Sequence, residues 1–275
     1  PFQDKITNIF SSPKHRYIVV NKSRQLGVST LVAAYALWLM LFHKDKNVLV
    51  IATKQDTAKN MITKVQFMYE NLPKWLKLPA LENNKLSLKL NNGSQIKAVS
   101  AAGDSGRSEA VSLLIIDEAA FIDEIDEIFP AAQQTLATGG QCIAISTPKG
   151  VGNWFHNTFT QAELGENGFT PIKLPWTVHP ERSQVWRDEQ DKILGKKNAA
   201  QECDCDFSTS GDTVIDPEII AWYKLNCKLD PIERRGMTHD LWLWEYPDYS
   251  RSYILVADVA RGDDKDYSTF HVIDV

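Results

Sequence analysis

The chain has 275 residues, 43% hydrophobic and 24% charged, with a net charge of −5. That length supports a sizeable core in one large or two modest domains. The acidic balance excludes a globally basic nucleic-acid binder, so any such contact must be a local patch or come from partner subunits.

The opening, Pro1 to Ile6, begins abruptly and reads as a fragment of a longer polypeptide. Phe2, Ile6, Ile9 and Phe10 recur at helical spacing, and Ser11-Ser12-Pro13 ends that helix. Tyr17 to Val20 is a short, mostly β-branched run, expected as a buried strand. A polar turn over Asn21 to Gln25 leads through Gly27 to Ser29-Thr30 and an apolar run from Val28 to Phe42. A bilayer needs about 20 such residues, so this run is expected as a buried helix. Nothing before it reads as a signal peptide.

A second strand is expected over Asn47 to Ala52, then a helix over Asp56 to Glu70 with Ala58, Ile62, Val65 and Met68-Tyr69 on one face. Pro73 and Pro79 punctuate a loop, and Leu86 to Val99 reads as a hairpin turning at Asn91 to Ser94. The stretch Ala101 to Ser108 is a small-residue loop too polar for a core. Val111 to Ile116 is a strong strand, with an acidic helix expected over Asp117 to Phe129. Cys142 to Ile145 is another strand, ending in Ser146-Thr147-Pro148-Lys149-Gly150. Alternating strands and helices predict an α/β fold with a mostly parallel sheet covered on both faces.

Beyond Gly152 the texture changes. Trp154-Phe155, Phe159, Trp176 and Trp186 are scattered among polar residues, and Val185 to Leu194 is a charged amphipathic helix, together suggesting a small helical subdomain. Ser208 to Asp212 is the best linker candidate, and Asp230 to Tyr249 reads as irregular. Ser252 to Asp258 and Ser268 to Val275 form a last strand pair around Gly262-Asp263-Asp264. Of the four cysteines, only Cys203 and Cys205 are close, and no second pair completes a zinc site. Those two, Cys142 and Cys227 read as reduced packing thiols of a cytosolic protein.

Three stretches carry chemistry. Strand, glycine loop and a helix opening with hydroxyls is the layout of a phosphate-binding P-loop: backbone N–H groups and the helix N-terminus hold an anion, and a hydroxyl ligates Mg²⁺. Against GxxxxGK[ST], Lys22 stands at the first Gly, Gly27 at the second, Val28 where Lys belongs and Ser29 at the hydroxyl. The usual lysine is missing, and an ordinary strand–turn–helix connection is the alternative. Leu113 to Ile116 runs into Asp117-Glu118, an acid pair fit to hold Mg²⁺ and orient an attacking water, or simply to start a helix. Asp123, Glu124, Asp126 and Glu127 read as a solvated helix face. The order decides: glycine–hydroxyl loop, apolar-Asp-Glu, apolar-Ser-Thr-Pro is the layout of additional-strand P-loop ATPases.

The motifs SRQLGVST at 23–30, Gly106-Arg107 before LLIIDEAAFID at 113–123, ISTPKG at 145–150, QECDCDF at 201–207 followed by Gly211, and the stretch 253–275 resemble the large terminase subunit of tailed bacteriophages, a DNA-packaging motor. The resemblance implies an ATPase using ATP and Mg²⁺, with Lys22 replacing the missing lysine and Ser23, Arg24, Gln25, Leu26, Gly27, Val28, Ser29 and Thr30 completing the loop. Arg24 is the alternative cation; Lys22 is favoured because its stem can reach back over the loop. Asp117 becomes the metal-anchoring acid with Ser29, Glu118 the catalytic glutamate, Ser146-Thr147-Pro148 the coupling motif, Arg107 an arginine finger in trans and Gln3 the adenine reader. Asp258 matches the first carboxylate of a ribonuclease H-like nuclease using Mg²⁺ or Mn²⁺, although the neighbouring Asp263, Asp264 and Asp266 read as solvated.

The implied organisation is an ATPase core over 1–152, a second ATPase subdomain over 153–207, a linker region over 208–251 and the first nuclease hairpin over 252–275. Implied partners are double-stranded DNA, the portal of the procapsid, a small terminase subunit and further copies of the chain in a ring. The implied location is the cytoplasm of an infected bacterium, with no membrane. A helicase-like ATPase and a degenerate P-loop scaffold without turnover are the rival readings.

Overall fold

The uninterrupted aliphatic runs of the sequence become the middle of one sheet. In the computed structural model, which describes residues 2–100, 110–136, 139–207, 219, 222–223, 226–227, 229–236, 240–260 and 268–275, the chain falls into two units, 1–217 and 218–275. The first contains helix α1 (Phe2–Ser11), β1 (Tyr17–Lys22), α2 (Val28–Phe42), β2 (Asn47–Ala52), α3 (Gln55–Glu70), β3 (Ala80–Asn84), β4 (Ser87–Leu90) and β5 (Gln95–Ser100). It continues with β6 (Leu113–Asp117), α4 (Ile125–Thr135), β7 (Gln141–Ser146), α5 (Trp154–Leu164), β8 (Phe169–Leu174), α6 (Gln184–Leu194) and α7 (Lys196–Ala199).

These strands form an eight-stranded sheet in the order β3-β4-β5-β2-β6-β7-β1-β8, parallel except where β4 meets β3 and β5. Both faces are buried, which is why the central strands are apolar through their middles and polar only near their ends. Ile18 and Val20 of β1, Val48 and Val50 of β2 and Ile143 and Ile145 of β7 pack on one face with Phe10, Val32, Met40 and Ile62. The alternate residues Val19, Leu49, Ile51, Cys142 and Ala144 face a second core with Phe129 of α4 and Phe155 and Phe159 of α5. Each Val, Leu, Ile, Met and Phe among them contributes about 1.5–3 kcal/mol on full burial.

Three local expectations change. The helix expected from Asp117 starts at Ile125. Asp117 is instead the last rung of β6, paired with Ala52 and Ile145, and Glu118 turns the chain with a left-handed φ of 56°. The exposed acids Asp126 and Glu127 lie in the first turn of α4, where the helix dipole favours them. Second, Ala80–Asn84 forms an exposed outer strand that no apolar alternation announced. Third, the segment 153–207 is not all helical: Phe169–Leu174 forms β8, an edge of the main sheet parallel to β1. Phe169 packs there against Tyr17, Phe129 and Trp154.

In the second unit β9 (Glu233–Arg235) pairs antiparallel with β10 (Leu241–Leu243) where an irregular stretch was expected, with Arg234 stacked 4.4 Å from the Trp242 ring. The expected last strand pair is present as β11 (Tyr253–Asp258) and β12 (Thr269–Asp274), antiparallel and exposed throughout. The linker candidate 208–212 and Asp263, Asp264 and Asp266 lie outside the described residues. Among the described residues no helix is long and apolar enough to cross a membrane, and no three metal-type side chains converge. All four cysteines are free, with Cys142, Cys203 and Cys205 buried and Cys227 exposed.

Candidate active site

Three strand ends define the site. β1, β7 and β6 are consecutive neighbours, and their C-terminal ends carry Lys22, Ser146 and Asp117. The register pairs Asn21 with Ser146 and Ile145 with Asp117, so the ends lie level. With strands about 4.8 Å apart, β7 separates the loop strand from the acid strand by one strand width on each side.

β1 is longer than its apolar run suggested, and Lys22 is its last residue rather than part of the turn. The half-buried Lys22 ammonium has its pKa lowered, first by desolvation, with the Asp117 and then the Glu118 carboxylate acting in the opposite direction. The loop after it turns at Gln25 (φ 57°) and Gly27 (φ 73°), both left-handed, and Gly27 caps α2. A Cβ at Gly27 would meet no atom within 4 Å, so conformation rather than crowding calls for glycine there. No side chain caps the N-terminus of α2, leaving its first N–H groups available to an anion. Leu26 and Val28 are buried in the core, which explains an apolar residue where a P-loop lysine would stand. Thr30 is exposed.

Ser29 Oγ donates to Asp117 Oδ1 at 3.4 Å, so hydroxyl and carboxylate from positions 88 residues apart share one spot. Asp117 also accepts the Glu118 N–H at 3.2 Å. This pair of hard oxygens suits Mg²⁺, which takes one or two protein ligands and completes its shell with water and phosphate. Glu118 is exposed, and its carboxylate hydrogen-bonds to no described residue. Ser146 Oγ accepts the Ala120 N–H at 3.1 Å, joining the end of β7 to the turn behind the acid pair. Thr147 and Pro148 are buried beside it, and Lys149 reaches Asp123 at 3.4 Å.

The structure thus brings together Lys22, Ser29, Asp117, Glu118 and Ser146. Gln3 sits in the first turn of α1, and among the described residues no hydrogen bond joins its side chain to the loop. Arg107 lies outside the described residues. Asp258 ends β11 opposite Thr269 in the second unit.

Arg24 points elsewhere. Its Nε lies 2.7 Å from Glu202 Oε2, and its N–H donates to Glu202 O at 2.8 Å. Glu202 belongs to the π-helical turn Ala200–Asp204, which follows α7. The next residue, Cys205, takes a φ of 57°, accepts the amide of buried Asn21 on its carbonyl at 3.1 Å and donates its thiol to Leu174 O at 3.2 Å. Burial pushes the Cys205 thiol up to about 12, so it remains a thiol. Sequence reasoning missed Arg182. Its Nη1 donates to Ser23 Oγ at 3.1 Å and its Nη2 to the carbonyls of Arg24 and Gln25 at 3.0 and 3.3 Å. No local pattern marks this arginine, because its partners lie about 160 residues upstream.

Sheet order, loop and acid pair define an α/β domain of the additional-strand P-loop class. Residues 19–226 match the family model described as terminase large subunit, T4likevirus-type, N-terminal, and the chain belongs to that family. It is 29% identical over 226 residues to the terminase large subunit of Escherichia phage T5, covering 78% of this chain and 49% of that protein. It is 23% identical over 312 residues to that of Thermus virus P23-45, covering 96% and 60%. The chain therefore spans about half the length of the curated relatives it matches. In fold it is similar to the large terminase ATPase domain of Thermus phage P74-26 (TM-score 0.60, 24% identity, 73% of this chain and 92% of that one). It is also similar to the large terminase of a thermophilic bacteriophage solved in complex with ADP (TM-score 0.60, 13% identity, 99% and 64%).

Proposed function

We propose that the chain is the ATP-hydrolysing, DNA-translocating part of a phage DNA-packaging motor. The observation that carries this reading is the convergence of Lys22, Ser29, Asp117 and Glu118 at one sheet edge. ATP lies along 22–30 with its phosphates on the N–H groups at the start of α2, and Gln3 reads the adenine. Ser29 and Asp117 would hold Mg²⁺, which neutralises phosphate charge when bound. Glu118 orients a water and takes its proton as the oxygen attacks the γ-phosphorus, and the bond to ADP breaks. Lys22, and Arg107 from a neighbouring copy, meet the charge on the leaving phosphates. Ser146-Thr147-Pro148 passes the loss of phosphate to the subdomain over 153–207, which moves double-stranded DNA. The test is Mg²⁺-dependent ADP release by the chain; a folded chain that neither binds nor turns over ATP would leave the assembly-scaffold reading.

The same reading sets the surroundings: a ring of copies docked on the portal of a procapsid, a small terminase subunit, and the cytoplasm of an infected bacterium. The domains are a core over 1–152, the subdomain over 153–207, a linker region over 208–251 and a ribonuclease H-like hairpin from 252.

Two expectations follow from these assignments. If Arg107 acts between copies, specific ATPase activity rises with assembly, and mixing Arg107→Ala with Glu118→Gln protein restores part of the turnover. Titrating one variant into the other while following assembly checks this; no recovery in any assembled mixture removes the trans role. The second concerns Asp258, at the end of a strand pair exposed on both faces. An isolated hairpin is only marginally stable, so β11 and β12 call for further sheet neighbours, and a two-metal site calls for further carboxylates. A chain supplying both should cut plasmid DNA with Mn²⁺, and Asp258→Ala should abolish the cutting. Cleavage unaltered in that variant would place the nuclease site elsewhere.

A further inference from the structure

Resting on the reading of 22–30 as a nucleotide loop, we propose that Arg182 is a positioning residue for that loop, setting its affinity for nucleotide without taking part in the chemistry. The loop lacks the lysine that usually closes over it, and Gln25 holds a left-handed φ of 57° that a residue with a Cβ adopts at a cost. Such a conformation persists where its surroundings over-determine it. Arg182 does so with one planar fork, whose donors span Ser23 Oγ and the carbonyls of Arg24 and Gln25, consecutive residues of the turn. Those carbonyls are then directed at the arginine, which favours turning the intervening N–H groups the other way.

The fork is itself held. Arg182 directly precedes Ser183, which caps α6 by accepting the Trp186 N–H at 3.4 Å. Trp186 then lies with its ring centroid 4.4 Å from the guanidinium carbon, and Trp176 backs it at 6.0 Å. On another side of the loop, Glu202 takes both the N–H and the side chain of Arg24. The turn is therefore gripped at two places by residues from 182 and 202, and its shape depends on how that segment sits.

An ammonium cannot do this. A lysine offers a point charge on a flexible stem, whereas the guanidinium presents donors in a fixed plane. Geometry and charge thus make different forecasts. Loss of loop positioning weakens ground state and transition state equally, which raises KM and leaves kcat nearly unchanged.

The experiment measures MgADP affinity by calorimetry, and kcat and KM for ATP, in the parent, Arg182→Ala, Arg182→Lys, Ser23→Ala and Arg182→Ala/Gln25→Gly, with thermal unfolding as the folding control. In Arg182→Ala, Kd and KM should rise about tenfold or more with kcat within about threefold. Arg182→Lys should behave like the alanine variant. Ser23→Ala, which loses one of the three acceptors and disturbs the fold least, should show a smaller rise in the same direction. The double variant should recover part of the affinity, since glycine takes the left-handed turn without penalty. Parental affinity in Arg182→Ala or Arg182→Lys overturns the proposal, as does a fall in kcat at constant KM. A parent that binds no nucleotide overturns the underlying reading and this proposal with it, so the parent arm tells the two failures apart.

Discussion

Lys22→Ala should lower ATP turnover by about 10²–10³-fold, the cost of removing one preorganised charge-stabilising donor, while Arg24→Ala keeps a rate within roughly fivefold of the parent. The two cations differ in burial and in the charges around them. Lys22 is half-buried at the end of β1, with the Asp117 and Glu118 carboxylates acting on its ammonium. A desolvated cation interacts with a phosphate far more strongly than an exposed one. The Arg24 side chain is 67% exposed and already paired with Glu202, and such pairs contribute about 0–1 kcal/mol. Steady-state ADP release from the two variants, each with its unfolding temperature matched to the parent, makes the comparison. A Lys22→Ala rate equal to the parent's removes Lys22 from the mechanism, and collapse in Arg24→Ala alone assigns the role to Arg24. Burial lowers the Lys22 pKa, so the group loses its proton at a lower pH than an ordinary lysine. Turnover should therefore decline on the alkaline side as Lys22 neutralises, and Lys22→Arg should move that decline to higher pH.

Glu118→Gln should bind ATP and Mg²⁺ as the parent does and hydrolyse ATP about 10²–10⁴-fold more slowly, the range for loss of a positioned proton acceptor. Glu118 and Asp117 are adjacent in sequence but differently placed. Asp117 is buried on the last rung of β6 and shares its Oδ1 with Ser29. Glu118 steps off the strand through a left-handed φ, and its carboxylate is exposed. The turn holds one acid against the hydroxyl and leaves the other exposed. Glutamine keeps the shape and both heavy-atom positions but cannot accept the proton. Equilibrium binding of ATP beside single-turnover hydrolysis separates the roles. If Glu118→Gln binds ATP weakly, Glu118 belongs with the metal ligands instead; if it turns over at the parental rate, it has no part in the chemistry.

The elements whose signal is local were legible. Runs of four or more consecutive apolar residues at 17–20, 48–52, 113–116 and 142–145 are satisfied when both faces are covered, and they lie in β1, β2, β6 and β7. Ile6 and Phe10 at helical spacing are the two buried residues of α1. The outer strand Ala80–Asn84 was not legible, since its residues are exposed and it is held by backbone pairing to β4. The start of α4 was misplaced because acids favour a helix N-terminus wherever it falls, and the pairing of Asp117 with Ala52 and Ile145 carried the strand through that position.

By itself, then, the sequence determined the order of loop, acid pair and Ser-Thr-Pro and the strands they follow, because period and composition are properties of neighbours along the chain. Only the tertiary structure decided that β7 stands between β1 and β6, that the Asp117 and Glu118 charges act on the Lys22 ammonium while Arg24 pairs with Glu202, and that Arg182 and Glu202 grip the loop. These arrangements join residues as far apart in the chain as Arg24 and Glu202. Whether such groups meet depends on sheet order and register, and on the burial that fixes which way a side chain turns.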